Sequence, residues 1–588
     1  MNRYEYLSLL IGTFVSTSWE THYPYELRLL LPKMGLGRTM EYARRQIRQS
    51  SSHLCVFFPD HALNINILTA LLRPDNNHPA APRDAVLCPG SRNAPIVHNL
   101  TQIGLHGHPV TDERSAVFVA IGLALHGQRK RPVVVCITSG SALLNTLPGV
   151  AEAAVRHIPL LILSADRPPQ WIGQLDGQTL PQTDALLPYA RTFTLPEPHN
   201  EEERWWCRRV AREALAATLH DGGRVVHINI PISEPTFALT TAKLPEVTPL
   251  QCFNSSTFTL PNELSCRLAE AKMPLLVIGE WDDAPLTEVI AADVLRSRLL
   301  IYAECLSHYP APTDNAAIDA LLYHEDDATS TFAPDLVLHI GGAMVDKKIK
   351  QLLRRNPQTQ VWRIDPTHEP PDTFCHLSVS IKAEPEQVLP NLIEALPAES
   401  DGIRRFRSTH LQPEPIVHRF DTLTAVFLGN SSAVRWGNHF FVASPHPIFG
   451  NRGTNGIEGS LSVAAGFALA RQRKYSGEKV LCILGDLSFF YDANALWNTQ
   501  LDGTLRILLV NNGGGEIFNH LPRLPESPAF DTYIRADHSA TAEGIARSFN
   551  CHYEAHHSSS PNGLLTDVQA EILIQRLLTV ESQRPVLF

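Results

Sequence analysis

Short apolar runs that end in small or polar residues alternate with helical patterns along most of this sequence. Residues 84–88, 132–137 and 159–163 are such runs, and helical patterns at 115–125 and 141–154 lie between them. This alternation predicts parallel sheets with helices on both faces. A chain of 588 residues is also too long for a single hydrophobic core. We therefore expect an α/β protein made of several doubly wound parallel-sheet domains.

The pattern divides the chain into an N-terminal extension and three α/β domains. Residues 1–58 form an extension of unknown role, with a weak signal peptide as the alternative, because its apolar stretch lacks a strong basic region and a small-residue cleavage site. That stretch is too short for a stable membrane insertion, which takes about 20 apolar residues. The domains are expected at 59–240, 241–400 and 401–588. In the first domain we expect strands at 84–88, 132–137, 159–163 and 224–230, and in the second at 274–278, 299–302, 335–340 and 360–364. In the third we expect strands at 479–484, 505–510 and 585–588.

Composition excludes several classes of function. The formal net charge of -10 leaves no basic footprint, which argues against nucleic acid as the main partner. The ten cysteines form no C-x-x-C pair, so neither a zinc site nor a disulfide framework is indicated, and they suit a reducing cytoplasm. An anionic substrate must therefore be met by a few placed arginines.

A single carboxylate stands at the end of a buried strand pattern. The apolar run 480–484 is followed by Gly485 and Asp486, and the next strand pattern, 505–510, ends in Asn511 and Asn512 before three glycines. Ligands of open α/β sheets bind beyond the carboxyl ends of the strands. Carboxylate, amide and carbonyl oxygens there suit Mg²⁺. The alternative is that Asp486 caps a helix, expected at 491–500, and that Asn512 makes a turn.

A second glycine-rich loop, residues 451–460, leads directly into an apolar helix pattern at 461–470. Glycines let a backbone approach a ligand closely, and a helix N-terminus favours an anion. The alternative is that Ser460 is an ordinary N-cap. Two phosphate-compatible loops beside one metal-compatible pair indicate a bound diphosphate more strongly than either loop does.

At this point the motifs resemble a known group of enzymes. GDLSFFYDANAL (485–496) followed by NNGGGEIF (511–518) is similar to the diphosphate-binding motif of thiamine-diphosphate enzymes, a Gly-Asp pair followed by Asn roughly 25 residues later. The usual third residue, Gly, is Leu487 here, which points to one branch. Further motifs of that branch match in order: CPGSRNAP (88–95), TDERSA (111–116), TSGSALLN (138–145), SADRPP (164–169), DGQTLPQ (176–182) and NRGTNGIEG (451–459). Over about residues 60–588, the chain resembles the 2-succinyl-5-enolpyruvyl-6-hydroxy-3-cyclohexene-1-carboxylate synthase family of menaquinone biosynthesis.

The resemblance implies three domains of the thiamine-diphosphate-enzyme type: pyrimidine-binding (59–240), middle (241–400) and diphosphate-binding (401–588). It implies thiamine diphosphate held through Mg²⁺, with Mn²⁺ as a possible substitute, by Asp486, Asn512 and the carbonyl of Gly514. Ile457 would prop the cofactor in a bent form. The other cofactor contacts implied are Ser431, Leu487, Ser488, Ile517 and Phe518.

Glu113 is the catalytic residue that the resemblance implies. Its carboxylate would hydrogen-bond the aminopyrimidine ring of the cofactor and favour the imino tautomer, which removes the thiazolium proton. The alternative is that Asp112 and Glu113 only stabilise the start of the helix at 115–125 through its dipole.

The implied substrates, 2-oxoglutarate and isochorismate, each carry two carboxylates, which need cationic partners when they are buried. Arginine serves this role through its bidentate fork. The substrate-binding residues implied are Ser91, Arg92, Arg167, Gln178, Arg435 and Arg452. A surface salt bridge is the alternative for Arg167 and Arg435. The family's Asn-Gln pair is Gly177-Gln178 here.

The implied reaction, that of a transferase, decarboxylates 2-oxoglutarate and adds the resulting succinyl carbanion equivalent to isochorismate in 1,4 fashion. The implied assembly is a homodimer or homotetramer with active sites at the subunit interface. Two alternatives stay open: a thiamine-diphosphate decarboxylase or carboligase for another 2-oxo acid, and a catalytically silent diphosphate-binding protein.

Overall fold

The computed structural model describes residues 63–588 apart from positions 76–77, 79, 221–222, 235–243, 251–257, 325–331, 368–369, 399, 411–414, 476 and 558–565. The extension predicted at 1–58 lies outside the described residues. The described chain contains three sheets, and every pair of neighbouring strands in them runs parallel. The predicted α/β fold class is therefore confirmed, whereas the domain boundaries stay predictions.

The first sheet, sheet A, has the strand order β2-β1-β3-β4-β6-β5. Its strands are β1 (Asp84–Leu87), β2 (His106–Pro109), β3 (Val133–Ile137), β4 (Leu160–Asp166), β5 (Arg191–Thr194) and β6 (Val225–Pro231). The helices of this part are α1 (Leu63–Leu71), α2 (Ala94–Gln102), α3 (Glu113–His126), α4 (Ser141–Asn145), α5 (Leu147–Val155) and α6 (Glu201–Ala217).

The second sheet, sheet B, has the order β11-β10-β9-β7-β8. Its strands are β7 (Pro274–Ile278), β8 (Leu300–Ala303), β9 (Leu336–Ile340), β10 (Gln360–Ile364) and β11 (Leu377–Ile381). The helices here are α7 (Asn262–Ala269), α8 (Ala292–Arg298), α9 (Asn315–His324), α10 (Lys348–Arg355), α11 (Pro385–Ala395) and α12 (Asp401–Thr409).

The third sheet, sheet C, has the order β13-β12-β14-β15-β17-β16. Its strands are β12 (Leu423–Leu428), β13 (Ile448–Gly450), β14 (Lys479–Gly485), β15 (Leu505–Val510), β16 (His552–Tyr553) and β17 (Val586–Leu587), and its helices are α13 (Ser432–Phe440), α14 (Ser460–Gln472), α15 (Asp486–Asp492), α16 (Glu543–Ser548) and α17 (Asp567–Thr579). Counted from the first strand of each, sheets A and C have the same strand order. Helices α3 and α14 therefore occupy equivalent places in their sheets.

Two predicted helices differ from the observed ones. The helix expected at 141–154 is divided at Thr146 into α4 and α5, because Pro148 lacks an N–H and suits the first turn of a new helix. The helix expected at 491–500 is wrong: α15 starts earlier, at Asp486, and a 3₁₀ turn over Ala493–Trp497 follows it.

Helices α3 and α14 cross at very short range. A Cβ added at Gly122 would lie 2.0 Å from the carbonyl oxygen of Val463, and one added at Gly466 would lie 2.0 Å from that of Val119. Only glycine allows backbones to approach this closely. The crossing joins sheets A and C through one continuous hydrophobic core, which contains residues of both. Within the described residues, no helix is both long and apolar enough to span a membrane.

One buried histidine makes the stability of this core depend on pH. His227 in β6 is fully buried, with Nε2 2.7 Å from the hydroxyl of Ser164 and Nδ1 3.2 Å from that of Thr192. Burial disfavours the imidazolium and lowers the pKa of His227 to about 3. In the unfolded chain this histidine binds a proton below about pH 6.5, whereas in the folded chain it stays neutral. Its contribution to the free energy of unfolding is therefore complete above that pH and is lost as the pH falls toward 3.

We expect His227→Gln to reduce the acid sensitivity of folding. Below about pH 6.5, one histidine that stays neutral in the folded state costs about 1.4 kcal/mol for each pH unit. Urea unfolding of wild type and variant at pH 7, 6 and 5 measures the two slopes. Equal slopes would contradict a neutral, buried His227, whatever the absolute stability of the variant.

Candidate active site

The cavity that contains the predicted metal ligands lies at the carboxyl ends of β12, β14 and β15. Its volume is about 640 Å³, which suits a small-molecule cofactor. It brings together all the residues predicted to contact the diphosphate, the metal or the thiazolium side of the cofactor, and two of the predicted arginines. These lining residues are Ser431, Arg435, Arg452, Ile457, Asp486, Leu487, Ser488, Asn512, Gly514, Ile517 and Phe518.

Asp486 is the first residue of α15, and its carboxylate is held by backbone N–H groups. Oδ1 accepts from the N–H of Leu487 at 2.6 Å. Oδ2 accepts from the N–H groups of Asn512, Gly513 and Gly514 at 3.1, 2.7 and 3.0 Å. The side chain is 2% exposed. Gly485 is the N-cap of the helix, so the alternative that Asp486 caps it is wrong.

The side-chain amide of Asn512 faces two oxygens. Its nitrogen donates to the carbonyl oxygen of Gly514 at 3.0 Å and to Oδ2 of Asp486 at 3.3 Å. If the amide turned to present Oδ1 instead, three oxygens would converge, and they would repel one another unless a cation lay between them. In a Mg²⁺ octahedron with bonds of about 2.1 Å, adjacent ligands are about 3.0 Å apart. The spacing of these three groups therefore fits a shared divalent cation.

The metal-ligand chemistry here depends on amide and carbonyl oxygens. In the part of the chain that the structure describes, no group of three or more His, Cys, Asp or Glu side chains could hold a metal ion. Asp486 could supply the charge, and Asn512 and Gly514 could complete a hard, all-oxygen set, which is the kind that Mg²⁺ prefers.

The turn that precedes α13 also faces the cavity. Ser431 has a φ of 73°, which is unusual for a residue with a side chain and common at functional sites. Arg435, one turn into α13, donates to the carbonyl of Ser431 at 2.6 Å. The helix N-terminus and the arginine together favour an anionic group at this end of the cavity. Arg435 is not in a surface salt bridge with any described residue.

The second glycine-rich loop precedes α14. Gly459, with a φ of 82°, is the N-cap of that helix, so the alternative that Ser460 caps it is wrong by one residue. A side chain at Gly459 would meet the ring of Phe118 in α3, which explains why the loop passes so close to the helix crossing. Ile457 is 40% exposed, and its side chain lines the cavity, as expected for a residue that supports a bound cofactor.

Glu113 lies on a different edge, at the start of α3. Asp112 is the N-cap and accepts from the N–H groups of Arg114 and Ser115, and Glu113 is the acidic residue of the first helical turn. Asn145 donates to Glu113 at 3.4 Å. Burial raises the pKa of the nearby Cys88 thiol, and the negative charge of Glu113 raises it further. Glu113 does not line the cavity that contains Asp486.

The other predicted substrate residues lie near the carboxyl edge of sheet A, away from that cavity. Arg92 is buried, donates to the carbonyl of Ile232 at 3.0 Å and pairs with Glu234 at 3.1 Å. The Nε of Arg167 is buried without a hydrogen-bond partner. Ser91 and Gln178 are exposed, and the backbone of Gln178, with a φ of 59°, abuts Gly140. One chain thus presents two half-sites.

The cavity has further cationic and aromatic lining that the sequence did not reveal. Lys347, Lys350 and Trp436 line it, and burial lowers the pKa of Lys350. Lys350 donates to the carbonyl of Met344 at 3.0 Å. Both lysines belong to the strongly basic segment that starts α10, which from sequence alone is typical of a solvated helix face. Their position at the mouth of a cavity comes only from the packing of sheet B against sheet C.

Comparisons with known proteins agree with this geometry. Residues 80–186 match the N-terminal TPP binding domain of thiamine pyrophosphate enzymes, and residues 429–587 match the C-terminal TPP binding domain. The protein is thus a thiamine-diphosphate enzyme by fold and site. Thiamine diphosphate is its cofactor, together with a divalent metal ion as is usual for these enzymes.

Three curated relatives narrow the class. The chain is 40% identical to a protein of Bacteroides thetaiotaomicron over 78% of its own length and 85% of that protein. It is 37% identical to one of Bacteroides fragilis (88% and 95%) and 38% identical to one of Phocaeicola vulgatus (82% and 88%). All three are named 2-succinyl-5-enolpyruvyl-6-hydroxy-3-cyclohexene-1-carboxylate synthase, and this chain belongs to that family.

We expect Gly514→Ala to weaken metal binding. Gly514 has a φ of 149°, and an added Cβ would lie 2.9 Å from the carbonyl oxygen of Arg535. Backbone strain of about 1–3 kcal/mol corresponds to a rise of roughly 5- to 150-fold in the Mg²⁺ half-saturation concentration. Gly544→Ala is the control, since an added Cβ there meets nothing within 4 Å. The measurement is a Mg²⁺ titration of each variant, with cofactor binding as the signal. Equal half-saturation concentrations in the two variants would contradict the proposed metal site.

Proposed function

We propose that this enzyme decarboxylates 2-oxoglutarate and adds the succinyl unit to isochorismate, releasing carbon dioxide and forming 2-succinyl-5-enolpyruvyl-6-hydroxy-3-cyclohexene-1-carboxylate. Its named relatives carry the name of that product. The observation that supports the assignment is the convergence of Arg435, Arg452, Lys347 and Lys350 on the cavity that contains Asp486. Substrates with several carboxylates need such a set, whereas a small monocarboxylate does not.

Each cation has a defined position in this proposal. The guanidinium of Arg452 is fixed by Asn430, whose Oδ1 accepts from Nη1 at 2.7 Å. Arg435 is anchored to the carbonyl of Ser431, and Lys350 to that of Met344. Because these groups are held before a substrate arrives, less conformational entropy is lost on binding. They orient the carboxylates of the two substrates toward each other.

The protein contributes orientation, charge and proton placement. When bound, thiamine diphosphate supplies a nucleophilic carbon and an electron sink. Asp486, Asn512 and the carbonyl of Gly514 would hold the metal that binds the diphosphate, with Mg²⁺ favoured and Mn²⁺ able to substitute. Leu487, Ser488, Ile517 and Phe518 line the pocket, and Ile457 would support the bound cofactor. Glu113 would keep a proton at the ring nitrogen of the aminopyrimidine.

The two half-sites of one chain support a homodimer, or a tetramer built from such dimers. Glu113, Arg92 and Arg167 do not line the cavity of Asp486, so a second copy would supply them. Apolar surface near Glu113 supports this arrangement: Leu144, next to Asn145, is 47% exposed. The described chain contains free cysteine thiols, buried and exposed. Free thiols suit a cytoplasmic location, because that compartment is reducing.

The direct test is product formation. The protein with thiamine diphosphate and Mg²⁺ should convert 2-oxoglutarate and isochorismate to the product, with carbon dioxide release coupled to isochorismate consumption. We expect Glu113→Gln to bind the cofactor and to lose turnover by roughly 10²-fold or more, since the proton at the ring nitrogen is no longer held by a carboxylate. Glu543→Gln, on an exposed helix, is the control. Turnover only with another 2-oxo acid would favour a different carboligase, and none with any would favour a silent binding protein.

Mixing two inactive variants tests the shared site. If Glu113 and Asp486 act from different subunits, Glu113→Gln and Asp486→Ala homodimers that exchange subunits should recover about a quarter of wild-type activity, because half of the dimers are hybrids with one intact site each. Each variant alone should stay inactive. No recovery after exchange, verified by tagged subunits, would mean that both residues act from one chain.

A further inference from the structure

The loop that carries Arg452 and Ile457 is held by two buried polar side chains that the sequence did not predict as site residues. This loop, residues 451–459, contains three glycines, so its conformation needs external support. Glu152 holds one side of it and Asn430 the other. Asn430 lines the cavity and fixes Arg452 in the function proposed above, on which the following inference rests.

Glu152 belongs to α5, in the sheet A part of the chain, and is fully buried. Its Oε1 accepts from the N–H of Gly453 at 3.0 Å, and its Oε2 accepts from the N–H and the hydroxyl of Thr454 at 2.7 and 2.8 Å. A Cβ at Gly453 would lie 3.0 Å from the carboxylate, so the contact is tight. One side chain therefore fixes two consecutive peptide groups of the loop immediately after Arg452.

Arg156, one turn further along α5, balances the charge of Glu152. The two side chains are 3.6 Å apart, and Arg156 also pairs with Asp282 at 2.7 Å and Glu280 at 3.2 Å, just beyond the end of β7. All four side chains are buried. The ion cluster thus connects the sheet A part, the sheet B part and, through Glu152, the loop of the sheet C part.

Asn430 holds residues 451 and 456 of the same loop. Its Nδ2 donates to the carbonyl of Asn451 at 2.8 Å and to that of Gly456 at 2.7 Å. Its Oδ1 accepts from Arg452. The amide therefore uses both of its polar atoms on the loop, and its own neighbour, Ser431, lines the cavity.

We propose that Glu152 and Asn430 are positioning residues, which hold the 451–459 loop so that Arg452 faces the substrate and Ile457 faces the cofactor. A buried carboxylate stabilises a fold less than an apolar side chain of similar size would. Its contribution at this place is orientation, because both oxygens are used on the backbone of the loop. Asn430 fixes the distance between residues 451 and 456, and Glu152 fixes residues 453 and 454 between them.

Glu152→Gln tests the proposal, with Glu280→Gln as the matched control. We call the hydrogen bonds from Glu152 to residues 453 and 454 the clamp. In Glu152→Gln the amide –NH₂ faces a loop N–H, so one side of the clamp is lost, while Arg156 keeps its ion pairs with Asp282 and Glu280. Glu280 lies in the same cluster and pairs with Arg156 at 3.2 Å, but no described hydrogen bond joins it to the loop, so Glu280→Gln changes the cluster without changing the loop contacts. Thr454→Val removes a single hydroxyl at an exposed position and serves as a variant that should fold normally.

The measurements are thiamine diphosphate binding in Mg²⁺, followed by tryptophan fluorescence, and the KM of each substrate. For Glu152→Gln we expect the Kd of the cofactor and the KM of a substrate held by Arg452 to rise roughly tenfold. For Thr454→Val we expect the same two constants to rise about threefold. In both variants kcat should change less. Glu280→Gln should match wild type in both. Thermal unfolding identifies a variant that merely folds poorly.

The outcomes separate this proposal from the function on which it rests. Weaker cofactor binding in Glu152→Gln and Thr454→Val, but not in Glu280→Gln, supports the clamp even if wild type lacks the proposed synthase activity. Wild-type Kd and KM values in Glu152→Gln and Thr454→Val overturn the clamp even if the synthase activity is present. Equal losses in Glu280→Gln and Glu152→Gln also overturn it, since the effect would then belong to the ion cluster as a whole.

Discussion

The contact between helices α3 and α14 determines where the functional groups of this protein lie. Gly122 and Gly466 let the two backbones meet, and a side chain at either position would collide with a carbonyl oxygen of the other helix. Helix α3 begins at Glu113, and α14 begins where the 451–459 loop ends. The close crossing therefore fixes the start of α3 and the end of the 451–459 loop relative to each other. It also merges the cores of sheets A and C.

The sequence predicted the parts of the site that follow directly from strand order. Asp486 and Asn512 end two strands joined by one crossover, and β14 and β15 are neighbours in register from Val480 to Gly485. Short edge strands such as β2, HGHP, were missed because they carry no apolar run. Lys350 and Glu152 were missed for another reason. Their roles come from contacts between sheets, and a linear pattern contains no information about which distant surface a side chain will meet.

Local charge explains how an acidic protein receives acidic substrates. The chain carries a net charge of -10, yet two arginines and two lysines line the cavity. Buried carboxylates elsewhere have a cationic partner within their own clusters, as Asp282 and Glu280 have in Arg156. The field at the cavity is thus set by nearby cations and by the turn before α13, and the long-range field of the whole chain is screened over about 8–10 Å in salt.

The amide of Asn512 has a consequence for how the enzyme is assembled. Its nitrogen donates to Gly514 and Asp486, so the polar groups of this turn satisfy one another. The protein can therefore fold and persist before any ion reaches it, without a cluster of repelling oxygens. A cation at the proposed metal site would first have to turn the amide and displace those hydrogen bonds, which would lower its apparent affinity.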